Sequence, residues 1–273
     1  MSRIAKRFAA LKASNTAAFV PFITAGDPDG DTTAAVLEGL PHAGADLIEL
    51  GVPFSDPMAD GPVIQVSSQR ALAAGMSMLK VLDLVRGFRK KDNETPIVLM
   101  GYYNPINAYG TAKFVKDAAE AGVDGLIVVD LPPEEDAVLR VPAAASGLDI
   151  VRLATPTTTG ARLPQVLDGA SGFLYYVSIA GVTGTKNFAE DEVRSAVERL
   201  QAASGLPVAV GFGIKTPENA AFIARVADGA VIGSAIVEKL AAGLDRPQDD
   251  RVNDVLSFCV RLAVAVHAAR RLQ

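Results

Sequence analysis

Short runs of apolar and β-branched residues recur at 18–24, 46–51, 96–102, 125–130, 149–153, 173–178, 207–211 and 229–233. Their length and the turn residues around them predict eight strands. Between them lie Ala-rich stretches with helical spacing, such as 32–43, 108–121, 191–203 and 217–226. Alternation of this kind implies parallel pairing, because a parallel strand pair needs a long crossover between its members. Eight units in 273 residues fit a closed (β/α)8 barrel, one domain spanning 1–273. An open doubly wound sheet is the alternative, but Gly211-Phe212-Gly213 lacks the third Gly of a dinucleotide fingerprint, since position 216 is Thr.

Three segments add to the plain barrel. Ile4, Phe8 and Leu11 form the stripe of a short amphipathic helix before the first strand. Its basic, acid-poor face resembles a transit peptide, yet a cap on the fold is the better reading. The crossover from Gly51 to Pro96 is long enough for a loop and two helices, 63–74 and 78–90. The last segment, 251–269, sets Val252, Val255, Leu256, Cys259 and Val266 along one face, which makes Cys259 a core residue.

Composition narrows the function classes. Lys and Arg total 26 against 31 Asp and Glu, a net charge of −5 that offers no excess for a nucleic-acid backbone. One cysteine rules out an intrachain disulfide and suits a reducing compartment, and two distant histidines make no metal motif. No apolar run reaches membrane-spanning length, so the expected setting is the cytoplasm with no membrane partner.

A barrel carries its active site at the C-terminal ends of its strands. In Asp46-Leu47-Ile48-Glu49-Leu50-Gly51, alternation sends Ile48 and Leu50 outward under the helices and Glu49 inward. A carboxylate in an apolar mouth resists ionisation, which suits general acid–base work; a structural ion pair across the barrel is the competing reading. The loop after it, 52–62, is long and holds Asp56 and Asp60, either of which can be carried over the mouth. Gly211-Phe212-Gly213 after the seventh strand and Gly233-Ser234 before a short helix suit phosphate. Glycine lets backbone N–H groups approach an anion, and the helix dipole favours negative charge there. The loop 181–185 after the sixth strand, Gly-Val-Thr-Gly-Thr, offers more donors or a lid. Tyr102 and Tyr175 lie on inward rows, as pocket wall or as barrel filler, and Asp130 reads as a helix cap. No nucleophilic triad is available. Carboxylate chemistry on a phosphorylated substrate is what remains.

The run Leu47-Ile48-Glu49-Leu50-Gly51-Val52-Pro53-Phe54-Ser55-Asp56-Pro57-Met58-Ala59-Asp60-Gly61-Pro62 closely resembles the signature of the tryptophan synthase alpha chain family. So do Pro21-Phe22-Ile23-Thr24-Ala25-Gly26-Asp27-Pro28, Gly181-Val182-Thr183-Gly184, Gly211-Phe212-Gly213-Ile214 and Gly233-Ser234-Ala235-Ile236-Val237. The resemblance implies retro-aldol cleavage of indole-3-glycerol phosphate to indole and glyceraldehyde 3-phosphate, without metal or cofactor in this chain. It implies that Glu49 shuttles protons between the glycerol hydroxyl and indole C3, and that Asp60 serves the indole nitrogen. Gly184, Gly213, Gly233 and Ser234 would hold the phosphate, with Thr183 beside them. Phe22, Met100, Tyr102, Tyr175 and Phe212 would line the indole pocket. The implied partner is a beta chain in an αββα complex, and pyridoxal phosphate would belong to that partner. The chain departs from many bacterial members at Ile179-Ala180, where an Arg commonly precedes Gly-Val-Thr-Gly. Another phosphosugar-handling barrel enzyme, or a non-catalytic barrel that activates a partner enzyme, are the alternatives.

Overall fold

A computed structural model describes residues 1–177, 186–211 and 213–270, with the backbone alone for 186–190. The strands are β1 Ala18–Thr24, β2 Ile48–Gly51, β3 Ile97–Gly101, β4 Gly125–Val128, β5 Asp149–Ile150, β6 Arg152–Ala154, β7 Leu174–Val177, β8 Val208–Gly211 and β9 Gly229–Ile232. All pair in parallel, in the order β5-β4-β3-β2-β1-β9-β8-β7-β6. The eight predicted runs are all present, but the fifth is divided. Its first half pairs with β4 and its second with β7. Between them Val151 donates its N–H to the Leu126 carbonyl at 3.0 Å, while Ser171 donates to the Ile150 carbonyl at 2.9 Å. One broken strand thereby joins the two ends of the sheet and closes the barrel.

Strand parity sorts the core into two layers. Outward residues such as Ile23, Ile48, Leu50, Leu99 and Leu126 pack under the helices. Inward residues Val20, Leu47, Val98, Ile127, Val151, Phe173, Ala209 and Val231 fill the barrel interior. Helix α1, Arg3–Ala13, closes the N-terminal end of that interior with Ile4, Phe8 and Leu11. The Phe8 and Phe173 rings meet at a centroid distance of 5.5 Å. Polar ties fix the plug: Ser2 Oγ donates to Asp149 at 2.7 Å, and Arg3 pairs with Asp124 at 2.9 Å. The amphipathic stripe is therefore a structural cap.

The long crossover holds α3, Pro62–Ala73, and α4, Met78–Arg89, within a residue of the predicted bounds. Residues 108–121, read as one helical stretch, are a correction. Helix α5 runs Tyr103–Tyr109, Gly110 turns at φ 94°, and α6 runs Thr111–Ala121. A glycine accepts that left-handed geometry without the Cβ clash any other residue would meet. The closing helix, Gln248–Ala268, buries Cys259 completely, and burial pushes its thiol up to about 12. That thiol is inert packing.

Candidate active site

Glu49 lies in the middle of β2, paired in register with Phe22 on β1 and Val98 on β3. It is 1% exposed. Both carboxylate oxygens are buried without a hydrogen-bond partner among the described residues. The competing reading, an ion pair across the barrel, is not formed among those residues. A buried carboxyl with no donor favours its neutral form. Burial first, and the nearby Asp60 charge second, push Glu49 up to about 8. At neutral pH the group carries a proton that it can give.

The loop resolves the choice between Asp56 and Asp60. Asp56 is exposed and its carboxylate takes the neighbouring Ser55 hydroxyl. Asp60 turns inward. The Tyr102 hydroxyl donates to Asp60 Oδ2 at 2.9 Å, and Gln65 Nε2 donates to the Asp60 carbonyl at 2.9 Å. Burial raises the Asp60 pKa, and the Tyr102 hydrogen bond works against that rise. The two carboxyls thus sit in unlike surroundings, one with a donor and one without. Unlike surroundings of this kind push the pKa values of two carboxyls apart.

Phe22, Met100, Tyr102 and Asp60 line one small cavity together with Thr24, Gly51, Val52, Ile64, Ser68, Gly101 and Val129. The Phe22 ring lies across Gly51, where a Cβ would come within 2.5 Å of it. Tyr175 enters from β7 and packs on the apolar layer beneath the mouth. Burial, then the charges of Glu49 and Asp60, hold its phenol well above the usual range, so it remains a neutral wall. Thr24, Ser68, Val52, Ile64 and Val129 escape a reading from sequence. Thr24 and Val129 carry the right parity, but nothing in the pattern marks Ile64 or Ser68, which come from α3.

On the other side of β1, β8 and β9 run in register, with Gly211 opposite Val231. Gly213 and Gly233 leave the sheet at the same level, two residues beyond that pair. Gly213 has φ 73°. Gly233 stands before α11, Ser234–Ala241, whose first ladder bonds run from Ile236 and Val237 back to the Gly233 carbonyl. The N–H groups of exposed Ser234 and its neighbour, before them, have no acceptor within the helix, as at any helix start. Thr183, Gly184 and Phe212, with the rest of loop 181–185 and Ile179-Ala180, lie outside the described residues. Asp130 does cap a helix, though that of the preceding unit: it accepts the Tyr103 N–H of α5 at 2.7 Å.

The family model described as "Tryptophan synthase alpha chain" matches residues 8–267. The chain belongs to the tryptophan synthase alpha chain family. Solved structures agree along the full length. Tryptophan synthase subunit alpha from Legionella pneumophila str. Paris is 42% identical, with a TM-score of 0.90 over 97% of this chain and 98% of that one. A chain from Aquifex aeolicus VF5 is 36% identical with a TM-score of 0.87, over 98% of this chain and 100% of that one. A chain of tryptophan synthase from M. tuberculosis in its aminoacrylate-bound form is 32% identical, with a TM-score of 0.85 over 97% and 100%. As a tryptophan synthase alpha chain the protein is a lyase of tryptophan biosynthesis. It cleaves indole-3-glycerol phosphate to indole and glyceraldehyde 3-phosphate and works with a beta chain, which carries the pyridoxal phosphate.

Proposed function

We propose that Glu49 and Asp60 carry out the retro-aldol cleavage as a proton donor–acceptor pair. Neutral Glu49 gives its proton to indole C3 while the Asp60 carboxylate takes or balances the indole N–H proton, so the ring becomes an indolenine. Glu49, now a carboxylate, removes the glycerol hydroxyl proton. The carbonyl of glyceraldehyde 3-phosphate forms, the carbon–carbon bond breaks, and its electron pair returns to the ring as Asp60 restores the nitrogen proton. The proton lost at C3 and that gained from the hydroxyl leave Glu49 as it began. The observation that carries this reading is the buried, partnerless carboxyl of Glu49, close enough to Asp60 to feel its charge.

Phe22, Met100, Tyr102, Tyr175 and Phe212 form the indole wall in this reading, and Gly184, Gly213, Gly233 and Ser234 receive the phosphate with Thr183 at hand. Supporting it are the shared cavity of Phe22, Met100, Tyr102 and Asp60, and the free N–H groups that open α11. One barrel serves as the whole unit, residues 1–273 forming a single domain. The cytoplasm is the setting this reading fits: the lone cysteine is buried and reduced, and among the described residues no helix is long and apolar enough to cross a membrane.

The test is indole release by the purified chain from indole-3-glycerol phosphate. Glu49→Gln and Asp60→Asn should each lower turnover by about 10²–10⁴-fold, the usual worth of an acid–base group. Binding of glycerol 3-phosphate should hardly change, because the lost interaction belongs to the transition state. Near-parent turnover in either variant overturns that residue's assignment.

A further inference from the structure

Asp60 sits on a loop, and a loop by itself fixes a side chain poorly. What holds the carboxylate is a residue from the barrel wall. Tyr102 follows β3 on the inward row of Val98 and Met100. Its hydroxyl donates to Asp60 Oδ2 at 2.9 Å and accepts the Ala59 N–H at 3.0 Å. One phenol oxygen therefore grips both the carboxylate and the backbone just before it. At the other end of the loop, the Phe54 ring packs against the Tyr102 ring with centroids 5.4 Å apart. Gln65 holds the Asp60 carbonyl, and a buried Thr24–Ser67 hydroxyl pair at 2.6 Å ties α3 to β1. These last contacts fix the backbone alone. Among the described residues, Tyr102 is the one side chain bonded to the Asp60 carboxylate.

We propose that Tyr102 is the positioning residue of the reaction, holding the Asp60 carboxylate over the barrel mouth through its hydroxyl. The inference rests on the assignment of Asp60 to the indole nitrogen. A phenol suits the task because its ring is rigid and its hydroxyl can donate and accept at once. The same bond opposes the burial that raises Asp60, and so favours its charged form. The other titratable groups facing this pair are Glu49 from β2, Tyr175 from β7 and Asp130 after β4.

Tyr102→Phe removes the hydroxyl and leaves the ring that packs on Phe54. Protection against heat by glycerol 3-phosphate, equal to that of the parent, shows the variant folded. The expected result is a kcat lower by about tenfold or more with KM little changed, and an acid limb of the rate profile moved to higher pH. In an Asp60→Asn background the same change should alter kcat by less than about twofold, because a residue acting through Asp60 has nothing left to position. An unchanged kcat in the parent background, or an equal loss in both backgrounds, overturns the proposal. Parent turnover in Asp60→Asn alone would instead remove the assignment of Asp60, and the proposal with it.

Discussion

The Tyr175 hydroxyl fills the space that a side chain at Gly211 would need: a Cβ built there would lie 2.0 Å from Oη and 2.5 Å from Cζ. Gly211 ends β8 and its neighbour strand β7 supplies Tyr175 in register two residue pairs below, opposite Ala209. The close approach of backbone to ring lets Tyr175 stand as a wall beside Glu49.

Gly211→Ala should therefore push Tyr175 out of place. Overpacking of a tight interior costs about 1–3 kcal/mol, and indole release should fall with it. The pair Gly211→Ala with Tyr175→Leu should regain most of the lost thermal stability, because the shorter side chain vacates the clash. Chemical denaturation of the single and double variants reads this directly. A Gly211→Ala chain as stable as the parent would mean that the ring has room to move.

Glu49 also makes stability depend on pH, with a sign opposite to that of a salt-bridged carboxylate. Its folded value is about 8 against an ordinary 4.5, so the folded chain keeps a proton that the unfolded chain has lost. Stability from this group is intact below about 4.5, falls as pH rises, and is gone above about 8. The shift corresponds to roughly 5 kcal/mol across that window. Glu49→Gln should accordingly stabilise the chain by an amount that grows from pH 5 to about pH 8. Urea unfolding of both proteins at several pH values checks it, and a pH-independent difference would contradict the burial account.

The rate profile should carry the same group. If neutral Glu49 starts the reaction, kcat/KM for indole release declines on the alkaline side with a limb near pH 8. The Asp60 charge is part of what raises Glu49. Asp60→Asn should therefore move the limb of its residual activity to lower pH. A limb that stays in place would show that Asp60 does not act on Glu49.

Phosphate binding is testable at Gly213, whose φ of 73° tolerates Asn and Asp better than other side chains. Gly213→Asp sets a carboxylate beside the proposed anion site, whereas Gly213→Asn has the same size without the charge. Glycerol 3-phosphate should raise the melting temperature of the parent and of the Asn variant, and leave the Asp variant unprotected. Equal protection of all three would place the phosphate elsewhere.

Much of this was legible in the order of residues. Strand parity alone sends Glu49 inward and Ile48 and Leu50 outward, because a strand repeats every two residues whatever surrounds it. The stripe Ile4, Phe8, Leu11 likewise marks a helix with one face to bury. Local periodicity suffices wherever the relevant contact follows from an element's own geometry.

Other facts belong to the tertiary structure, since they join residues with no periodic relation. Asp56 and Asp60 occupy one irregular loop, and the Tyr102 hydroxyl, brought from beyond β3, bonds the carboxylate of the second. Asp130 caps the helix of the unit before its own because parallel pairing of β3 and β4 sets their ends side by side. The fifth strand breaks at Val151 because its two neighbours claim different halves of its hydrogen bonds. The value of about 8 at Glu49 has the same origin: parity aims the side chain inward, but the plug of α1, the apolar layer above it and the nearby Asp60 charge decide how strongly its proton is held.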